Sequence, residues 1–256
     1  MSTAVAAPKT LADTEEGRAV PAFAIIGWRW ISRNPAATVA PILTPFIFLY
    51  FLGIISPGTF PFEVLGAMMF TTQNIGNWVL GDSATWRLHT AIQDLFVASP
   101  LGKVRYLFGI ALSNLIPAAP ALVILGVVLA VVTPVPFVFW LLLIGALAVI
   151  WVLFSAIGIA ISSRVRSQRE IWPVGTLIFT VVGMLSPLYY PLNALPPLWR
   201  DAALFLPSTY AALLLRGALV PGTLTDATMA LYGVLLVASA VVGTVLALRL
   251  YRWKTP

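Results

Sequence analysis

"YLFGIALSNLIPAAPALVILGVVLAVVTPVPFVFWLLLIGALAVIWVLFSAIGIAISS", residues 106–163, contains no charged side chain and is bracketed by Arg105 and Arg164. A helix needs about 20 apolar residues to cross a bilayer core, so this run is long enough for two crossings. "TPVP", Thr133 to Pro136, supplies the hinge, because proline lacks a backbone N–H and disfavours helix in the residue before it. The run therefore reads as two spans, about 106–132 and 137–161. The whole composition agrees: 60% of the 256 residues are hydrophobic, 9% are charged and the mean hydropathy is +0.95. Soluble domains carry about 25% charged residues, and a chain this apolar cannot cover itself with a soluble surface.

Outward from this pair, four more segments reach span length: about 36–56 and 62–81 before it, about 172–190 and 227–248 after it. The expected fold class is an all-α integral membrane protein with six transmembrane helices. Residues 1–20 are polar and lack the basic-then-apolar order of a cleaved signal peptide, so they read as a flexible cytoplasmic tail. Residues 21–256 form a single membrane domain. Within it, "PAFAIIGWRWISRNP" (21–35) sets Phe23, Ile26 and Trp30 against Arg29 and Arg33, the pattern of a helix lying in the membrane interface.

Charge placement orients the chain. Lys9, Arg18, Arg29, Arg33, Arg87, Lys103, Arg105, Arg164, Arg166, Arg169, Arg249, Arg252 and Lys254 fall on the side of the N-terminus, and only Arg200 and Arg216 fall opposite. Cytoplasmic segments carry the excess of Lys and Arg, so both termini are expected in the cytoplasm. The +6 net charge thus reflects topology and not nucleic-acid binding.

Several chemistries lack their residues. Cysteine is absent and His89 is the only histidine, which excludes disulfides, thiol chemistry and a histidine-rich metal site, so no metal ligands are expected. No carboxylate lies mid-span, as ion coupling would require; Glu63, Asp82 and Asp226 sit at helix ends. Gly102-Lys103 is followed by Val104 and has no phosphate-loop glycine before it, so ATP is not bound by that route. No G-x-S-x-G elbow occurs. The chain reads as a non-enzyme with no catalytic residue, and as one part of a larger machine.

Between spans two and three lies "WRLHTAIQDLFVASPLGK", Trp86 to Lys103. At helical spacing Leu88, Ile92, Leu95, Phe96 and Ser99 share one face, and Arg87, Thr90 and Asp94 fall on the other. This predicts a two-faced helix along the inner surface.

Two stretches resemble the permease subunits of type-2 ABC exporters, the family of drug, polysaccharide and lipid-linked export permeases. "AIQDLFVASPLGKVRYLFG" (91–109) matches a short amphipathic helix, a "SP" turn at Ser99–Pro100 and a basic Lys103 leading into span three. "LSPLYYPLNALPPLWRDAALFLPSTYAALLLRGAL" (185–219) matches "P-x-x-x-L-P" at Pro191, Leu195 and Pro196, then "P-x-T-Y … L-R-G" at Pro207, Thr209, Tyr210, Arg216 and Gly217. The chain departs from the family in lacking an acidic "G-T-x-E" run before the first stretch, which here reads "GDSATWRLHTAIQD".

The resemblance implies that the helix after span two couples to a separate cytoplasmic ATPase through Arg87, His89, Ile92, Gln93, Asp94, Leu95, Phe96, Ser99 and Pro100. It also implies a second permease copy, identical or paralogous, and re-entrant outer helices between spans five and six. No cofactor is expected on this chain; ATP and Mg would sit on the partner. The setting implied is a prokaryotic plasma (inner) membrane. With the resemblance set aside, an ATP-independent channel or carrier, or a membrane scaffold, is the other reading. Gln73, Asn74 and Asn77 share a face of span two and either line the path or serve as interhelical glue. Tyr189, Tyr190, Trp199 and Tyr210 either shape an outer gate or are interfacial belt aromatics. Ser239, Gly243 and Ala247 form a small-residue packing stripe in span six.

Overall fold

The computed structural model describes residues 11–55, 58–90, 92–99, 101–251 and 253. Its described helices are α1 (Leu11–Arg33), α2 (Pro35–Ile55), α3 (Phe60–Leu88), α4 (Ile92–Ala98), α5 (Lys103–Val132), α6 (Phe137–Ser162), α7 (Gln168–Leu185), α8 (Pro197–Leu204), α9 (Pro207–Leu219) and α10 (Asp226–Leu250). A single 3-10 turn, Leu192–Ala194, precedes α8. No strand occurs among the described residues.

Each expected span coincides with a helix. The hinge at "TPVP" separates α5 from α6 as the prolines require, with Thr133 and Pro136 in extended backbone. By length and apolar composition alone, α5, α6 and α10 can each cross a membrane. The pair α8 and α9 passes only together and is bent by 95°. The fifth segment is shorter than expected: α7 ends at Leu185, and residues 186–190 leave the helix ahead of Pro191. At the other end of the chain, α1 already runs from Leu11, so the flexible tail expected over 1–20 is helical over its second half and Pro21 lies inside the helix.

α3 is the central element and packs against α2, α5, α6 and α7. Its crossing with α6 is very close. A Cβ on Gly158 would lie 2.1 Å from the Gly76 carbonyl oxygen, and one on Gly76 would lie 2.4 Å from the Phe154 carbonyl oxygen. Small residues let two backbones approach where lipid supplies no hydrophobic drive between helices. α10 lays Leu236, Ala240 and Ala247 inward against α6, and a Cβ on Gly243 would meet Leu153 at 2.6 Å. The packing stripe is thus Leu236–Ala240–Gly243–Ala247, while Ser239 is half-buried and turns its hydroxyl back to the Leu235 carbonyl.

Outside this core the outward faces of α5, α6 and α10 are apolar. Val123, Val127 and Val131 on α5, Val138, Leu141 and Ile144 on α6, and Val234, Val237, Val241 and Val245 on α10 are exposed. Contiguous apolar surface on this scale is untenable in water, and helices satisfy their backbone polar groups internally, as lipid requires.

Candidate functional site

The stretch 86–103 divides where the sequence suggested continuity. α3 carries on through Trp86, Arg87 and Leu88, breaks at His89 and Thr90, and only Ile92–Ala98 forms the separate helix α4. The expected single two-faced helix is therefore the last turn of α3 plus a seven-residue helix. Pro100 lies outside the described residues.

This division sorts the side chains. Arg87 turns inward and donates from Nη2 to the Ser162 and Val165 carbonyls at 2.7 and 2.6 Å. The Ser162 carbonyl ends α6, where carbonyls lack intrahelical partners and carry the negative end of the helix dipole, and Val165 follows in the connection to α7. Lys103 plays the same part for α10: its Nζ donates to the Leu248 carbonyl and, at 2.9 Å, to that of Tyr251. Gln93 is 1% exposed; its Nε2 donates to the Trp253 carbonyl at 3.1 Å and its Oε1 accepts from the Tyr251 hydroxyl at 2.8 Å. That hydroxyl also lies 3.5 Å from Ser83 Oγ, itself 3.0 Å from Ser162 Oγ. Burial pushes the Tyr251 phenol above its ordinary pKa.

Phe96 stacks on Phe23 of α1 at 5.3 Å and tilts against Tyr106 of α5 at 5.1 Å. Phe23 fits there because Gly109 has no side chain; a Cβ would enter the ring at 2.3 Å. Ser99 donates to the Phe96 carbonyl at 2.8 Å and accepts from the Leu101 amide at 3.2 Å, ending α4. Ile92 is half-buried. His89, Asp94 and Leu95 face outward, with Leu95 70% exposed. Arg87 and Gln93, read from sequence as outward polar groups, are thus committed to this chain's own helix ends, and Leu95, read as part of the seated apolar face, is exposed. Helical periodicity does not carry across the break at His89–Thr90, which is why the faces changed.

The polar cluster of α3 faces α7. Gln73 donates to the Phe179 carbonyl at 3.3 Å, and Asn77 packs on Gly175, where a Cβ would lie 2.2 Å from its Oδ1. Gln73 Oε1 and Asn77 Oδ1 are buried without a hydrogen-bond partner. Asn74 is only half-buried.

The four outer aromatics do not converge. Tyr189 packs between Phe48 and Phe70, at 6.2 and 6.0 Å. Tyr190 donates to the Met184 carbonyl. Tyr210 donates to the Leu204 carbonyl at 2.6 Å and lies beside Tyr232, and Trp199 is exposed on α8. Tyr189 and Tyr190 line a cavity of about 420 Å³ together with Arg216, whose guanidinium donates to the Tyr190 and Leu188 carbonyls at 2.5 and 2.8 Å. The tether from α9 to the segment after α7 was not readable from the sequence, since both acceptors are backbone. Among the described residues no three His, Asp or Glu side chains converge as metal ligands would.

The described residues are helical, with apolar helix faces turned outward, as a membrane-embedded protein requires. The family model described as ABC-2 type transporter matches residues 22–220, more than half of the chain, and the chain belongs to that family. Among curated proteins, none matches it. Members of the family are membrane components of transporters that generally lack nucleotide-binding motifs and normally pair with an ATP-binding subunit.

Proposed function

We propose that this chain is the permease subunit of an ATP-driven exporter and that α4 is the element driven by a separate ATPase. One observation carries the reading. α4 presents Asp94 and Leu95 outward, beside the exposed His89 at the end of α3, while Gln93 and Phe96 tie it to the end of α10, to Phe23 of α1 and to the start of α5. A push on its outer face is thereby passed to three helices at once, the arrangement a transmission element needs. ATP and Mg bind the partner, and this chain supplies the path.

In this reading the chain crosses a prokaryotic inner membrane six times with both termini cytoplasmic, which the lopsided placement of Lys and Arg supports. The bent pair α8 and α9 folds back at the outer face as a re-entrant hairpin. Two copies, identical or paralogous, enclose the path. The exposed apolar faces of α2 (Leu43, Ile47, Phe51) and α7 (Leu177, Val181, Met184) support such pairing. The candidate path residues Gln73, Asn74 and Asn77 are uncharged, which favours a hydrophobic drug, a lipid or a lipid-linked glycan as cargo.

The test is affinity purification of the tagged chain from native membranes, with mass spectrometry of what co-purifies. Wild type is expected to retain a stoichiometric ATPase, and Asp94→Arg/Leu95→Asp to lose it while remaining inserted. An intact permease that recovers no ATPase overturns the reading in favour of an ATP-independent channel or carrier, or a scaffold.

A further inference from the structure

At the α4 end of the bundle a cavity of about 510 Å³ opens between α1, α3, α5 and α7. Its walls include Trp30 of α1, Trp78 and Trp86 of α3, and Trp172 of α7, which are four of the nine tryptophans in the chain. Trp172 reaches in because Gly81 leaves room: a Cβ there would lie 3.2 Å from its ring. The polar part of the wall includes Asp82 and Asn114. Asn114 Nδ2 donates to Asp82 Oδ2 at 2.9 Å, and also to the Ile110 carbonyl at 3.1 Å, which fixes the carboxylate from one side. Among the described residues, Asp82 Oδ1 forms no hydrogen bond and no lining residue is basic.

An indole face carries negative electrostatic potential and attracts cations, most strongly where water is excluded. A carboxyl group that shares a wall with four indoles, with no basic group in that wall, favours positive charge, and aromatic walls favour a charge that is weakly hydrated. The volume falls in the range of small-molecule sites, about 300–1,000 Å³. We propose that this cavity is a binding site for an organic ammonium ion, its cationic head among Trp30, Trp78, Trp86 and Trp172 and its charge balanced by Asp82. The ammonium comes either from a free amphiphilic solute or from the headgroup of a zwitterionic lipid.

The test is saturable quenching of tryptophan fluorescence in the full-length chain, reconstituted in phosphatidylglycerol nanodiscs and titrated with benzyltrimethylammonium. Neopentylbenzene, its uncharged isostere, is the control. The cation is expected to bind and the isostere to bind at least about tenfold more weakly. Asp82→Asn keeps the acceptor for Asn114 and removes only the charge; it is expected to weaken the cation about tenfold and leave the isostere unchanged. Trp172→Leu, at an exposed position, is expected to weaken the cation as well, and guards against a folding defect in the first variant. Competition when phosphatidylcholine is added to the disc assigns the site to a lipid headgroup, and its absence assigns it to a free solute. Equal binding of cation and isostere, an unchanged Kd in Asp82→Asn, or no saturable binding overturns the proposal. No ATPase is present in the assay, so its outcome is independent of the exporter reading.

Discussion

The Tyr251 hydroxyl donates to Oε1 of Gln93 at 2.8 Å, joining the residue just past α10 to the short helix between α3 and α5 across most of the chain's length. Both residues are buried, at 3% and 1% exposure. A buried polar group that loses its partner costs about 1–3 kcal/mol. Gln93→Ala and Tyr251→Phe are each expected to destabilise by that amount, and the double variant by less than the sum. Thermal unfolding in detergent measures both, and strict additivity would show that the two side chains are not coupled.

Arg87 closes the C-terminal end of α6 with two bonds from a single guanidinium nitrogen. Arg87→Met is expected to leave both carbonyls short of a donor and lower stability by about 2 kcal/mol, with Arg87→Lys in between because its ammonium still donates but sits on a shorter, more flexible and more strongly hydrated side chain. Hydrogen exchange at the α6–α7 connection is the local readout. Protection there is expected to fall in Arg87→Met before the rest of the bundle changes.

Gly158 and Gly145 lie on the same helix and separate packing from propensity. Gly158→Ala drives a Cβ into the Gly76 carbonyl and is expected to cost about 1–3 kcal/mol or to prevent assembly. Gly145 has nothing within 4 Å, so Gly145→Ala is expected to be neutral or to stabilise by up to about 1 kcal/mol. Expression level and melting temperature of the two variants make the comparison.

Asn77 tests whether the polar face of α3 is glue or path. Its Oδ1 is buried without a partner, so Asn77→Ala removes an unsatisfied group and is expected to leave stability within about 1 kcal/mol of wild type. Reduced efflux by a variant with an unchanged melting temperature would assign the position to the path. Unchanged efflux would leave it to packing between α3 and α7.

Much of the fold was legible because the bilayer imposes a length and a polarity on each helix. The charge-free run over 106–163 and its "TPVP" hinge reappear as α5 and α6 with ends close to those expected. Faces were less legible. Leu95 and Gln93 exchanged roles because a break of two residues at His89 and Thr90 resets the helical phase, and nothing local marks it. The tryptophan cavity was not legible at all, since Trp30, Trp78, Trp86 and Trp172 are far apart in sequence and share no motif.

By itself the amino-acid sequence determined that this is a helical membrane protein, where its long apolar helices lie to within a few residues, and which family it resembles, because hydropathy and proline placement act on each segment without reference to the others. Only the tertiary structure decided which polar groups face outward and which are spent inside. Arg87, Lys103, Gln93 and Arg216 all donate to backbone carbonyls of distant helix ends or loops, and a carbonyl looks the same at every position of a sequence. Those bonds exist only once packing has brought the ends together.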